Sequence, residues 1–399
     1  MDRGVFAHEL DVFFCKELPR IVEHGRRMFD DLADSFSRWL VIYGAGSLGR
    51  KTAAGLRSLG APPLALADNN QALWGCQVEG IPVVPPGEIV RRFGSKVVVV
   101  MAVWSPGPER RLPVIRGQLE SMGCARAIPF TVLFWKYPST FLPHYRLDLP
   151  QYLQQAEAPI RRVFALLQDD QSRREYINQL RWIAATEFGA LSGRDVRETY
   201  LPDDVLRLSS DEVLVDCGAF DGDTIRAFLD HRAKVFDRIF AFEPDPTNYL
   251  RLESYVAGLP AAIAGRIRVF RSAVSDRREV LRFDASGTVS SRISGAGALD
   301  VPCEPIDEAL AGEAVTYVKM DIEGAEPKAL QGARQTIAQH APALAICVYH
   351  RQQHLWELPL QMHALCRDYR LFLRHYGDEF GDVVCYAVPP RHRDGKILV

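Results

Sequence analysis

The stretch Val213-Leu-Val-Asp-Cys-Gly-Ala-Phe-Asp-Gly-Asp-Thr224 constrains the fold more than any other part of the chain. An apolar strand ends in an acid, Asp216, and a turn bearing Gly218 and Gly222 then opens a helix. A strand that runs through a glycine turn into a helix is the first half of a βαβ unit, and such units build a parallel sheet. The next strand, Arg238-Ile-Phe-Ala-Phe-Glu243, ends in a second acid followed by Pro244. Both acids therefore stand at the carboxyl edge of the sheet, where open α/β sheets form their ligand crevice.

The acids also say what sort of ligand suits the crevice. A phosphate-binding turn wants exposed backbone N–H groups and no carboxylate in the loop. Glu243, 21 residues past Gly222, can instead accept from both hydroxyls of a ribose. A ligand with a ribose and a cationic group fits better, which points to S-adenosylmethionine rather than a dinucleotide. Taken singly, Asp223 as a helix N-cap and Glu243 as a surface acid are the plainer alternatives.

Further strands are expected at Ile267–Phe270, Val315–Asp321 and Ala343–Tyr349, with a helix over Pro327–His340. Arg370–Tyr376 and Val383–Val388 then close as a hairpin around Gly377-Asp-Glu-Phe-Gly-Asp382. A parallel sheet finished by a hairpin is the topology of the seven-stranded, Rossmann-like class I methyltransferase fold.

Asp321 follows an apolar strand in Val318-Lys-Met-Asp-Ile-Glu-Gly-Ala-Glu326, with Glu323 and Glu326 close behind. Three carboxylates in six residues tend to raise at least one pKa. They could supply a general base for a hydroxyl, or hold a divalent metal through hard oxygens. Glu326 also reads as a first-turn acid favoured by the helix dipole. His350, at the end of the following strand, is a base candidate or an ordinary strand-end histidine. Its spacing to His354 matches paired metal ligands, but no third ligand stands at a defined spacing, so no metal site is assigned. Arg374-His375-Tyr376 is a candidate acceptor contact, with edge-strand polarity as the alternative. The glycine- and serine-rich stretch 284–297, including Arg292, reads as a loop over the site or a solvated surface loop.

From Tyr200-Leu-Pro-Asp-Asp204 to Val388 the chain resembles the FkbM family of S-adenosylmethionine-dependent methyltransferases. The resemblance rests on the Val215–Thr224 run, Phe242-Glu-Pro-Asp245, Ala273-Val-Ser-Asp276, the Val318–Glu326 block, Tyr349-His350 and Leu373-Arg-His-Tyr376. It implies O-methylation of a hydroxyl on a sugar, glycan or natural-product acceptor. The cofactor contacts expected from it are Asp216, Gly218, Ala219, Phe220, Asp221, Gly222, Thr224, Glu243 and Pro244. Ala273 and Val274 would lie along the adenine, and Asp321 would face the reacting methyl. Asp321 and Glu323 are the first candidates for base or acceptor ligand, and His350 the second.

A second glycine turn, Gly44-Ala-Gly-Ser-Leu-Gly49, lies between the strand Leu40–Tyr43 and a helix over Arg50–Leu59. Asp68 ends the strand that follows, Pro63–Ala67, 19 residues past Gly49. Gly44, Gly46, Gly49 and Asp68 thus form a candidate second nucleotide site. Lys96–Val103 and Ala125–Phe130 add strands, and Glu109–Met122 a helix. Together with Gly80-Ile-Pro-Val-Val84 the unit resembles small nucleotide-binding modules of sugar- and glycan-modifying proteins. The competing assignments are an NAD-dependent oxidoreductase or a non-catalytic nucleotide-binding protein built on this unit.

The chain has 399 residues, which calls for more than one core. The expected organisation is a helical lead-in over 1–36, a Rossmann-like accessory domain over 37–130, a helical connector over 131–205 with a helix at Ile160–Phe188, and the methyltransferase domain over 206–399. A formal net charge of -2 without a basic run offers no footprint for nucleic acid. The longest apolar run, Val97–Trp104, is too short for membrane insertion, and the first residues lack a signal-peptide pattern. Eight scattered cysteines without a Cys-x-x-Cys pair suggest reduced thiols, and so a cytoplasmic protein. The expected partner is a small-molecule or glycan acceptor, and a homo-oligomer is compatible with the composition.

Overall fold

The computed structural model describes residues 3–34, 38–104, 112–185, 191, 193–231, 235–284, 292–293, 297–377 and 382–392. Most of the 284–297 stretch therefore lies outside the described residues, as do residues 109–111 and 186–188 of the two expected helices. The chain divides into two compact units. The first holds residues 1–157, 176–193 and 377–381, and the second 158–175, 194–376 and 382–399. Residues 131–205 are thus shared between the units instead of forming a separate connector.

The first unit is a six-stranded sheet. Its strands are β1 (Leu40–Tyr43), β2 (Ala65–Ala67), β3 (Gln77–Val78), β4 (Ile81–Val84), β5 (Val98–Met101) and β6 (Arg126–Pro129), in the order β3-β4-β2-β1-β5-β6. All neighbours are parallel except β3 and β4. β1, β2 and β5 are buried at every position, as strands covered on both faces must be. Helix α1 (Ser47–Ser58) starts three residues earlier than expected, inside the glycine run. The N-terminal segment is helical over Arg3–Val12, Leu18–His24 and Met28–Ala33, with a π-helical turn at Phe13–Glu17.

The second unit contains a seven-stranded sheet. Its strands are β7 (Val213–Cys217), β8 (Arg238–Phe242), β9 (Ile267–Phe270), β14 (Tyr317–Met320), β15 (Ala343–Cys347), β16 (Arg370–His375) and β17 (Val383–Val388). The order is β16-β17-β15-β14-β7-β8-β9. The five strands from β15 to β9 are parallel, and β17 runs antiparallel to both of its neighbours. β7 and β14 are adjacent in space though far apart in sequence, so the chain switches direction of winding at β7 and leaves a crevice there.

A separate four-stranded sheet was not anticipated. It joins β10 (Ala273–Val274), β11 (Glu279–Asp284), β12 (Arg292–Ile293) and β13 (Leu299–Glu304) in the order β10-β13-β11-β12. Helix α2 (Asp223–His231) follows the β7 turn, and α3 (Pro246–Ala257) follows β8 with Asp245 as its N-cap. The single helix expected over Pro327–His340 is two, α4 (Glu326–Gly332) and α5 (Arg334–His340), separated at Ala333. Among the described residues no helix is long and apolar enough to cross a membrane.

Candidate active site

The β7 turn is built by backbone packing. Gly218 and Ala219 donate their N–H groups to the Phe242 carbonyl at 3.0 and 3.1 Å, tying the turn to the end of β8. Gly218 has φ +79°, and a Cβ there would lie 2.0 Å from the Asp321 carbonyl oxygen. Only glycine meets both conditions. The turn is further held by Glu243, which accepts from Phe220 N–H and Asp245 N–H, each at 2.8 Å. Glu243 is 5% exposed, and burial pushes its carboxyl up to about 7 in spite of those two donors.

Asp216 does not reach the crevice, contrary to the expectation that it contacts the cofactor. The parallel register sets it opposite Lys319 on β14. Its carboxylate lies 3.0 Å from Lys319 Nζ, and both side chains are buried. Burial pushes the Asp216 carboxyl up and Lys319 opposes that. Burial alone would discharge the Lys319 ammonium, but Asp216 and Asp321 more than reverse this and keep it charged. Lys319 Nζ also donates to the Gly218 carbonyl at 2.7 Å. The pair is thus an internal strut under the turn.

The crevice itself encloses about 790 Å³ of space, part of it open solvent. Of the expected contacts, Gly218, Phe220, Thr224, Glu243, Pro244, Ala273, Val274, Asp321 and Glu323 line it. Ala219, Asp221 and Gly222 do not. Ala219 is buried, the Asp221 carboxylate pairs with Arg226 at 2.7 Å, and Gly222 packs against Tyr255 and Leu252. Tyr200, Asp223, Phe242, Asn248, Ser272, Phe283, Lys319, Ile322 and Ala325 line it without having been expected.

Asp321 closes one end. It accepts from the Tyr200 hydroxyl at 2.8 Å and the Tyr349 hydroxyl at 3.4 Å, and its carboxylate is 3.2 Å from His350 Nε2. Burial would raise its pKa, but His350, Lys319 and Tyr200 more than offset this and hold it well below the usual carboxylate range. Tyr200 is itself fixed, since its carbonyl accepts from the Tyr317 hydroxyl and its N–H donates to the Tyr386 hydroxyl.

His350 is not a neutral base. Its Nδ1 is 2.8 Å from Glu326 and its Nε2 faces Asp321 and, at 3.9 Å, Glu323. These are close ion-pair contacts without good hydrogen-bond alignment. Burial would depress the imidazole, but Glu326 and Asp321 reverse this and hold it protonated. Glu326 is fully buried and accepts from Ile322 N–H at 3.1 Å, so it clamps the 321–326 loop from inside and is not a surface first-turn acid. His354 Nδ1 also faces Glu326, at 3.4 Å, and burial depresses it to about 4. The two histidines converge on a carboxylate. Among the described residues no group of three or more His, Cys, Asp and Glu side chains is arranged to hold a metal ion.

Arg374 is likewise internal. It is 2% exposed and pairs with Asp169 at 2.7 Å and Asp204 at 2.9 Å, while His375 and Tyr376 are buried. None of the three is available to an acceptor.

In the first unit a second crevice opens at the carboxyl ends of β1, β2 and β5. Gly44, Gly46 and Asp68 line it with Tyr43, Asn69, Asn70 and Trp104. Gly49 does not, because it packs so closely under the turn that a Cβ would lie 1.9 Å from the Gly44 carbonyl oxygen. The Asp68 carboxylate accepts from Ala45 N–H and Asn70 N–H, each at 2.7 Å.

The sheet order, the closing hairpin and the crevice at the switch point define the second unit as a class I methyltransferase fold. Residues 216–380 match the family model described as the methyltransferase FkbM domain. The structure is similar to that of methyltransferase FkbM from Methylobacillus flagellatus KT, with a TM-score of 0.76, 23% identity, and coverage of 96% of this chain and 98% of that one. A putative rRNA-methylase from Clostridium thermocellum aligns over 46% of this chain and 88% of its own, at 8% identity and a TM-score of 0.31. No curated protein matches the chain.

Proposed function

We propose that the protein is an S-adenosylmethionine-dependent O-methyltransferase acting on a hydroxyl of a sugar, glycan or natural-product acceptor. The observation that carries this reading is the pair of carboxylates, Glu243 and Asp321, lining one crevice together with Gly218. Glu243 sits where ribose hydroxyls can be accepted, and Gly218 lines the crevice beside it. Phe242, Ala273 and Val274 supply apolar surface for an adenine. Asp321, held ionised, presents a fixed negative charge at the end where a sulfonium would lie, and buried electrostatics of this kind need no rearrangement during transfer. When bound, the donor supplies the activated methyl, and the chain's task is to align the acceptor oxygen with it and receive a proton. The cluster of acids at the Asp321 end supports oxygen as the nucleophile, since a hydroxyl must lose a proton on methylation. Eight free cysteines, six of them at least partly buried, support a cytoplasmic setting.

Titration calorimetry with S-adenosylhomocysteine tests the reading. Wild type is expected to bind, and Glu243→Ala to bind at least tenfold more weakly. Absence of binding, or binding indifferent to Glu243→Ala, would refute it. Mass spectrometry of sugar and natural-product hydroxyl acceptors after incubation with the methyl donor then identifies the acceptor class.

A further inference from the structure

The first unit holds a crevice outside the proposed methyl-transfer site. β1 stands between β2 and β5, so the chain winds away from it first to one side and then to the other. Open α/β sheets take their ligands at such a point, beyond the carboxyl ends of the strands. The crevice there encloses about 1290 Å³ of space, part of it open solvent. It is lined from the ends of all three strands and from the start of α1.

Of the three glycines in its turn, the fold itself requires two. Gly44 has φ +109°, and a Cβ there would lie 2.7 Å from the Ala102 carbonyl oxygen. A Cβ at Gly49 would meet the Gly44 carbonyl oxygen, as described above. Gly46 is different. It has φ -73° and ψ -166°, extended backbone open to any residue, and a Cβ there would meet nothing within 4 Å. Neither packing nor backbone conformation asks for glycine at this position. Gly46 lines the crevice, and what its missing side chain leaves is bare main chain against open space. Glycine in that place lets a ligand come up to the backbone.

Asp68 supplies the other wall. Its Oδ2 accepts from Ala45 N–H and its Oδ1 from Asn70 N–H, which fixes the carboxylate at the crevice edge. A carboxylate oxygen can accept more than one hydrogen bond, so capacity is left for the hydroxyls of a ribose. Among the described residues that line the crevice there is no Lys or Arg. Arg50, on α1, donates its Nε to the Ala45 carbonyl at 3.3 Å. A terminal phosphate carries about two negative charges and would find no side-chain cation among those residues. A diphosphate diester carries less charge on each phosphate, and α1 has no acid in its first turn to oppose it. Leu48, Val103, Trp104 and Ile115 add apolar surface for a base.

We propose that this crevice is a second ligand site and binds a ribonucleotide through a diphosphate diester, the chemistry shared by dinucleotides and nucleotide sugars. The diphosphate lies against the bare backbone at Gly46, and Asp68 accepts from the ribose hydroxyls. Binding here is independent of the proposed methyl transfer.

Titration calorimetry on the full chain tests this with NAD and UDP-glucose as probes. At least one should bind; NAD would identify a dinucleotide site and UDP-glucose a nucleotide-sugar site. Gly46→Val should weaken that binding at least tenfold, while its Tm stays within about 2 °C of wild type because the added side chain has open space. In wild type, the analogue that lacks the 2′-hydroxyl (on the adenosine of NAD or the uridine of UDP-glucose) should bind about tenfold more weakly, having lost a hydrogen bond to a carboxylate. Glu243→Ala, in the other crevice, should leave the affinity unchanged. Failure of both probes at millimolar concentration, binding indifferent to Gly46→Val, an equally tight 2′-deoxy analogue, or loss of binding in Glu243→Ala would each overturn the assignment. If a probe binds as expected and S-adenosylhomocysteine does not, the methyltransferase reading fails and this one stands.

Discussion

Glu243 couples the pH of the solution to folding and, on the proposed function, to ligand binding. Its carboxyl is raised from an ordinary 4.5 to about 7 because burial outweighs the two backbone N–H groups that favour the ionised form. On unfolding it returns to its ordinary value, so the folded chain binds this proton more tightly than the unfolded chain does. The stabilisation is complete below pH 4.5 and is lost as pH rises through about 7. The gap of about 2.5 pH units, at ~1.4 kcal/mol each, makes the effect about 3 kcal/mol. Glu243→Gln removes the titration while keeping one carbonyl acceptor. Urea unfolding of both proteins from pH 4 to pH 8 isolates the term, because other carboxyls cancel in the difference. Relative to the variant, wild type should lose about 3 kcal/mol across that range. Binding runs the opposite way. A ribose needs the ionised carboxylate, so S-adenosylhomocysteine affinity in wild type should weaken about tenfold per pH unit below about 7 and be flat above it. A stability difference constant to within about 0.5 kcal/mol over the range would refute the electrostatic argument. So would an affinity independent of pH in wild type.

Three further outcomes follow from the packing of the site. Gly218→Ala meets both a positive φ and the Asp321 carbonyl, so urea unfolding should show a loss of about 1–3 kcal/mol or more, accompanied by loss of S-adenosylhomocysteine binding; full stability would contradict the close approach. Lys319→Met leaves Asp216 buried without its cation and should cost about 3–5 kcal/mol, read as a fall in Tm, whereas adding Asp216→Leu should recover most of it; a stable single variant would disprove the strut. Tyr200→Phe removes a donor from half-buried Asp321 and should cost about 1 kcal/mol while S-adenosylhomocysteine still binds; a variant as stable as wild type would show that this hydroxyl is not holding Asp321.

The strands that carry the crevice were legible because they are short apolar runs ending in an acid. Glu243 and Asp321, which line that crevice, could be picked out for the same reason. Asp216 was misread because a strand end says nothing about which face a side chain takes or what opposes it. The missing information was the register with Lys319, whose signal was a lysine inside the apolar run Tyr317-Val-Lys-Met320, since a buried ammonium requires a partner. His350 looked like a base for want of one distance, that from Glu326, which lies five residues beyond Asp321. The four-stranded sheet was hidden because its longest pairing, β11 with β13, joins segments with mostly exposed and mixed side chains.

The two glycine turns use one device for different ends. In each, an acid at the end of the adjoining strand accepts from an N–H of the turn, Asp68 from Ala45 and Glu243 from Phe220. The acid therefore shapes the turn first, and any ribose must share it. What separates the crevices is the third strand. Opposite the first turn stand Ala102, Val103 and Trp104, and Asp68 is the sole carboxylate among the described residues that line that crevice. Opposite the second stands Asp321, kept ionised by a buried imidazolium and with Glu323 beside it. Methyl transfer to a hydroxyl needs a charge to face the donor and a carboxylate to take the proton. The glycine turn that looks tidier in sequence thus belongs to the crevice with one carboxylate among its described lining residues, while the other crevice gathers Glu243, Asp321 and Glu323.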